Sequence, residues 1–327
     1  MDEQQEIVRV RVRKGISIWT IITYLFLTAL AVTMVFPFYW MVRTSLIDPK
    51  DVFISPHRVG YLRWLLPESF PKIDNFTQAL TAVPFGRAYI NSILISACVT
   101  FGQVFTSSLA AFGFARLKFP GRDKIFLAYL ATMMIPGAVT MIPVFILTSK
   151  LPFWLDDAVS WLTHTRSVIF SSSYYMFHNT YVGRPLGLDS YFTLIVPGMF
   201  SAYGTFLLRQ FFMSVEKDYE EAARIDGAGT WLVYWKIMLP LSRPAIATLA
   251  IFTFMGSWRA YMWPLIVTFR EDLMTVPILV RFFQSKYSTD WTLLMAASIM
   301  QIIPVLIAFI IGQKYFIRGV RIGGIKG

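Results

Sequence analysis

The sequence predicts an all-α polytopic membrane protein with six transmembrane helices. Three observations carry that prediction: 56% of the 327 residues are apolar and 15% charged, mean hydropathy is +0.55, and six apolar stretches are long enough to cross a bilayer. A crossing helix needs roughly 20 mostly apolar residues, and the stretches cover about 17–42, 88–115, 125–148, 190–212, 243–269 and 291–313. The period-two alternation of a β-barrel is absent. Segments of this length satisfy their own backbone hydrogen bonds as helices, as hydrocarbon requires.

The first stretch follows Arg9, Arg11, Arg13 and Lys14, and it is too long, with no small-residue cleavage site behind it, for a removed signal peptide. Residues 1–16 therefore read as a basic cytoplasmic N-terminus, and an even number of crossings returns the C-terminus to the same side. Short loops agree with this orientation. The turn after the second stretch holds Arg116, Lys118, Arg122 and Lys124 against one acid, Asp123, and the tail 314–327 holds Lys314, Arg318, Arg321 and Lys326 with none. Residues 149–189, between the third and fourth stretches, form a long external insert containing Trp154, Trp161, Tyr174 and Tyr175. Part of it, near 153–170, has the composition of an interfacial helix. Two readings stand for the insert: a platform that contacts a partner protein, or a loop resting on lipid headgroups, where Trp and Tyr are enriched. The loop 48–86, with Trp64, Pro67 and Pro71, admits the same two.

A net charge of +11 would suit nucleic acid, but the cations flank apolar stretches instead of forming one basic stripe. Membrane lipid is the expected counter-charge, and no nucleic acid is expected. The single cysteine, Cys98, can form no internal disulfide, and His57, His164 and His178 lack paired ligand spacing, so no metal site is expected. A Walker-type phosphate loop is absent, so no ATP is expected to bind this chain by that route. An intramembrane enzyme would need a catalytic pair such as Asp/Asp, Ser/Lys or His/Glu within the bilayer. The six stretches contain essentially no acids, which argues against it.

The polar gap 213–242 is the most informative segment. It reads Glu221-Ala222-Ala223, then Gly227, then Ile237, Leu239 and Pro240, a spacing that predicts helix, turn, helix. Gly227 supplies a turn that a Cβ would resist, and the second helix is expected to stop before Pro240. Asp226 is expected to cap that second helix by accepting backbone N–H bonds, worth about 1 kcal/mol. This pattern resembles the cytoplasmic coupling loop of binding-protein-dependent ABC importer permeases. The likeness extends through Pro37-Phe38, Ser45-Leu46, Asn91-Ser92, residues 111–116, Phe119-Pro120-Gly121-Arg122, Pro136, Pro143, residues 206–212 and Lys314-Tyr315-Phe316 to the terminal Gly323-Gly324-Ile325-Lys326-Gly327. Ile225-Asp226-Gly227-Ala228 and that tail are similar to the carbohydrate branch, in particular to the smaller permease subunit of maltose transporters. Two positions depart from the family pattern: Glu216 stands where proline is usual, and Trp258-Arg259 where Trp-Asn is usual.

The resemblance implies a bacterial inner-membrane, multi-pass transmembrane domain over 17–327 that performs no covalent chemistry and carries no cofactor. Its partners would be a second permease subunit, two nucleotide-binding ATPase subunits that hold ATP and Mg, and an extracytoplasmic solute-binding protein. Glu221, Ala222, Ala223, Asp226, Gly227, Ile237, Leu239 and Pro240 would couple ATP-driven closure of the ATPases to the membrane helices. Lys326 and Gly327 would reach into the ATPase interface. The fifth stretch carries Trp258, Arg259, Tyr261 and Trp263, expected with Asn91 to line a carbohydrate path, although Asn91 and Gln103 on the second stretch are of the kind more often found as helix-packing hydrogen bonders than as ligands. Aromatic faces suit sugar rings, and an arginine donates to hydroxyls or grips a carboxylate in bidentate fashion. A neutral and an acidic oligosaccharide both fit that set, and so does a structural role in which the tryptophans form an interfacial belt and Arg259 snorkels. A polyol, a glycerol-phosphate ester or a peptide remains an alternative cargo.

Overall fold

The computed structural model describes residues 17–65, 70–163, 186–284 and 289–322, with backbone alone given at Val59 and over 315–322. It is all-helical: the described residues hold no strand, only an isolated bridge between Gln284 and Thr289. The principal elements are α1 Ile18–Ser45, α2 Asp74–Ala82, α3 Phe85–Arg116, α4 Arg122–Ala131 and α5 Gly137–Thr163. They are followed by α6 Tyr191–Ile195, α7 Ala202–Ser214, α8 Asp218–Ile225, α9 Thr230–Leu241, α10 Arg243–Trp258, α11 Met262–Val267, α12 Val276–Val280 and α13 Trp291–Ile322.

Among the described residues five helical stretches are long and apolar enough to cross a membrane: α1, α3, α5, α6 with α7, and α13. A sixth is added if α9 and α10, bent by 77° at their junction, count as one span. The predicted third and fifth stretches are each divided. Residues 125–148 straddle a break at Ile135-Pro136, where proline disfavours helical geometry in the residue before it; α4 ends at Ala131 and α5 begins at Gly137. α5 then runs through Pro143 and Pro152 to Thr163, so residues 149–163 of the predicted insert continue a long helix. The rest of the insert up to residue 185, with His164, His178, Tyr174 and Tyr175, lies outside the described residues, as do the basic N-terminus and the terminal Lys326 and Gly327. The predicted stretch 243–269 is interrupted at Arg259–Tyr261, between α10 and α11. α13 continues to Ile322 instead of ending at 313.

α3 is the mast of the fold, with 32 residues spanning about 48 Å. It contributes to all three hydrophobic clusters. Phe85 and Ala88 pack with Ala79, Val276, Leu279 and Ala297 at one end. Ile95 and Val99 meet Leu194, Val267 and Leu273 in the middle, and Ala111 and Phe112 join Leu208, Phe212, Tyr234, Met238 and Leu249 at the other end. Close approach of the backbone is enforced at Gly102, where a Cβ would lie 3.0 Å or less from three side-chain atoms of Met199. α1 is by contrast exposed over its apolar length and buries only Arg43, Thr44 and Ser45, at its last turn. There Arg43 donates to the Trp64 carbonyl (2.8 Å), and its guanidinium lies over the rings of Trp40 and Trp64.

Candidate functional site: coupling loop and membrane cavity

Two regions carry the candidate residues. The first is the polar hairpin formed by α8 and α9. α8 has three acids in its first turn, Asp218, Glu220 and Glu221, where the helix dipole favours negative charge. It ends in a Schellman motif: the Ala228 N–H donates to the Ala223 carbonyl (2.9 Å) and the Gly227 N–H to the Arg224 carbonyl (3.1 Å). Gly227 takes the left-handed conformation this motif requires, at φ 85°. Asp226 sits at the C-cap of α8, not at the start of α9, which corrects the capping expectation. The Schellman turn consumes Gly227 and Ala228, so the N-cap position of α9 falls on Gly229, which has no side-chain oxygen to offer.

Glu221, Ala222, Asp226 and Gly227 are exposed, whereas Ala223 turns inward onto the hydrophobic cluster at this end of α3. α9 inserts as a wedge. Val233, Tyr234 and Met238 are fully buried, Ile237 and Leu239 pack on the same cluster, and the Tyr234 hydroxyl bonds to Ser108 on α3 (2.7 Å). Proline does not end α9 where the sequence predicts. Tyr234–Met238 is a π-turn, closed by the Leu239 N–H on the Tyr234 carbonyl, and Pro240 follows in the final turn. Proline cannot donate and crowds the carbonyl four residues earlier, so a widened turn lets the helix run on to Leu241. The 77° bend follows at buried Ser242. The exposed face of the hairpin carries large apolar side chains that the motif did not nominate: Tyr219, Ile225, Trp231, Leu232 and Trp235 are each more than 40% exposed. Their signal was present in the sequence as aromatic and aliphatic residues within a polar segment.

The second region is a cavity of about 360 Å³ between α3, α7 and α10, lined by Gln103, Tyr203, Phe252, Thr253, Ser257 and Trp263 among others. Of the five residues nominated for a path, only Trp263 lines it. Asn91 is fully buried: its amide donates to the carbonyls of Asp272 and Met274 (both 2.9 Å) and accepts from the Tyr191 hydroxyl (2.6 Å). Trp258 is 1% exposed, donates to the Gln301 carbonyl (2.8 Å) and packs against Tyr89 and Phe254. Neither lines this cavity, and every side-chain polar atom they offer is engaged in holding helices and loops together. Tyr261 accepts from Arg281. Arg259 is exposed at the C-terminal end of α10, and both its backbone N–H and its Nε donate to the Met255 carbonyl within its own helix. Its neighbour Ala260 lines the cavity.

Residues 103–322, which contain the hairpin and most of the cavity lining, match the model of the family described as binding-protein-dependent transport system inner membrane component. The chain belongs to that family. It is 30% identical over 312 residues to the arabinooligosaccharides transport system permease protein AraQ of Bacillus subtilis, covering 95% of this chain and 97% of that one. It is 29% identical over 311 residues to the sn-glycerol-3-phosphate transport system permease protein UgpE of Yersinia pestis, covering 94% and 96%. In structure it resembles a chain of a bacterial ABC transporter involved in import of the acidic polysaccharide alginate, with a TM-score of 0.72 at 20% identity over 93% of this chain and 98% of that one.

In this permease a third polar constellation ties the chain before α6 to the chain after α11. Asp189, in the left-handed region at φ 59° and 4% exposed, accepts from the backbone N–H groups of Phe269 (2.9 Å) and Arg270 (3.2 Å). Its other oxygen pairs with the Arg270 side chain (3.1 Å). The Asp189 N–H donates in turn to the Val267 carbonyl, so the segment leading into α6 is tied to the chain leaving α11.

Proposed function

We propose that this chain is one of two permease subunits of an ATP-driven carbohydrate importer of the bacterial inner membrane. ATP and Mg would be held by two partner ATPases, and the solute delivered by an external binding protein. The observation that carries the carbohydrate assignment is end-to-end similarity to a permease named for arabino-oligosaccharides. The cavity supports it: Tyr203, Phe252 and Trp263 line it with aromatic side chains suited to sugar rings, and Gln103 and Ser257 add polar side chains suited to hydroxyls. The hairpin supports the coupling role. Glu221, Ala222, Asp226 and Gly227 share an exposed surface with aromatic and aliphatic side chains, the composition of an interface centre. Glu221 enters a cleft on the ATPase, and α9 carries the motion into the bundle.

An acidic oligosaccharide is favoured over a neutral one by Arg259, whose hydrogen bonds stay within its own helix and leave its charge exposed beside the cavity-lining Ala260. The decisive experiment is uptake into proteoliposomes holding this chain, its companion permease, the ATPase and the binding protein, with labelled neutral and uronate-containing oligosaccharides offered separately. Preferential uptake of the uronate sugar that is lost in Arg259→Ala makes Arg259 a carboxylate reader. Uptake of the neutral sugar alone, unchanged in that variant, returns Arg259 to a surface role. Uptake of neither, with uptake of sn-glycerol 3-phosphate, refutes the carbohydrate assignment.

A further inference from the structure

At the hairpin end of the bundle two arginines cross between neighbouring helices in opposite directions. Arg116, the last residue of α3, donates from one terminal nitrogen to the carbonyls of Phe212 (2.7 Å) and Val215 (2.6 Å), at the C-terminus of α7. Arg209, on α7, donates from Nε to the Phe114 carbonyl (3.3 Å) at the C-terminus of α3, lies 4.1 Å over the Phe126 ring of α4, and pairs with Asp123 (3.7 Å). Each helix thus has its unpaired terminal carbonyls satisfied by a cation from the other, the charge sign the helix dipole favours at that end. Both arginines are largely buried, with side chains 5% and 12% exposed. Arg116 also has a second direction of contact: its other terminal nitrogen lies 3.9 Å from Glu220 on α8, whose remaining oxygen is gripped by Arg224 (2.7 Å). Glu220 is 13% exposed, on the side of α8 turned to the bundle, and immediately precedes the exposed Glu221.

We propose that Arg116 and Arg209 form a reciprocal clasp that makes α3 and α7 one lever, and that the Arg116–Glu220 pair is the joint by which the first helix of the coupling hairpin drives it. The inference rests on the importer reading above and assigns the joint to residues outside the coupling motif. α9 is fastened by apolar burial, but α8 buries none of its residues fully, so it needs a polar attachment to move the bundle. An ion pair at 3.9 Å flanked by two carbonyl bonds provides such an attachment, because the fork stays fixed on α7 while the carboxylate pivots around it.

The test uses the complete reconstituted complex and measures sugar accumulated and ATP hydrolysed in the same vesicles. Glu220→Gln keeps the size of the side chain and removes its charge. Its expected behaviour is binding-protein-stimulated ATP hydrolysis within about twofold of wild type and sugar transported per ATP lower by about fivefold or more, the lower range of coupling between sites. Arg224→Gln, which releases the other arm of Glu220, should leave that ratio unchanged. Spin labels at the exposed positions 118 and 217 should keep a constant separation through the ATP cycle in wild type and change separation in Glu220→Gln. A ratio in Glu220→Gln equal to wild type, or a parallel fall of hydrolysis and uptake, overturns the joint and leaves Arg116 as packing. A wild-type complex that hydrolyses ATP without moving any solute overturns the importer reading itself, and the joint with it.

Discussion

Gly227 offers the sharpest perturbation of the hairpin because its cost can be isolated. A Cβ built at this position meets nothing within 4 Å, so alanine there creates no clash and changes chiefly the backbone energy. The Schellman turn needs φ 85° at this residue, and the left-handed region costs an ordinary L-residue about 1–2 kcal/mol, less for asparagine. That is a factor of roughly 5–30 in the population of the native turn against an alternative one. Valine, β-branched, should sit at or beyond the upper end and alanine within the range. The expected order of sugar transported per ATP is therefore wild type, then Gly227→Asn, then Gly227→Ala, then Gly227→Val. Membrane insertion and thermal stability of the isolated subunit should hardly change, because Gly227 is exposed and outside the buried clusters. Gly227→Asp, which adds a charge to the docking face beside Asp226, should insert normally and fail to couple. Uptake by Gly227→Val equal to wild type would refute the reasoning, since the turn geometry would then be irrelevant to coupling.

Four further outcomes follow from named contacts. Asp226→Ala should leave the stability of α9 within about 0.5 kcal/mol, the range of surface substitutions away from special features, because its side chain does not cap that helix; a fall of thermal stability typical of a lost N-cap would contradict the placement. Asp189→Ala should cost about 1.5–3 kcal/mol, read by thermal unfolding in detergent, and Asp189→Asn less, because asparagine tolerates the left-handed region and keeps one acceptor for the two backbone donors. Trp258→Phe should lower stability by about 0.5–1.5 kcal/mol by removing the hydrogen bond to the Gln301 carbonyl, with the substrate preference unchanged if the residue is structural. Gly102→Val should reduce the yield of folded subunit, since overpacking typically costs about 1–3 kcal/mol and the blocking contacts include Met199 Cβ, which cannot swing away as a side-chain tip can.

The membrane class was legible because the bilayer imposes a length and a composition on each crossing, and α1, α3 and α13 satisfy both without interruption. Breaks within segments were not legible from apolarity. Residues 125–148 and 243–269 are apolar on average, but Pro136 and the Arg259–Tyr261 step divide them, and hydropathy averages over such steps. The hairpin was legible as helix, turn, helix because Gly227 carries a conformational requirement that survives any context. Its detail was not: the position of Asp226 depends on how many residues the turn consumes, and the π-turn before Pro240 depends on α9 being held against α3 by Val233, Tyr234 and Met238.

The engagement of Asn91 and Trp258 away from the cavity follows from one physical rule, which also points to further candidates. A buried polar group must find a partner, and a side chain rich in hydrogen-bonding atoms placed deep in a helical bundle usually finds backbone. Asn91 uses two hydrogen bonds to fasten the chain around Asp272 and Met274 to α3 and a third, accepted from Tyr191, to hold α6, and Ser92 accepts from the Val276 N–H (2.9 Å) one residue along the same helix. Trp258 does the same between α10 and α13. Chemical suitability for a sugar therefore counts less than whether those atoms are already engaged. Thr253 passes that test: it lines the cavity, is 8% exposed, and its hydroxyl has no hydrogen-bond partner among the described residues. That hydroxyl is buried in a wall shared with Gln103, Ser257 and the aromatic Tyr203, Phe252 and Trp263, and a turn of the side chain would offer it to a solute that supplies hydroxyls of its own. If that is its role, Thr253→Val, which keeps the shape, should leave folding and basal ATP hydrolysis unaltered and raise the solute concentration needed for half-maximal uptake. An unchanged half-saturation would assign the cavity to packing instead of passage.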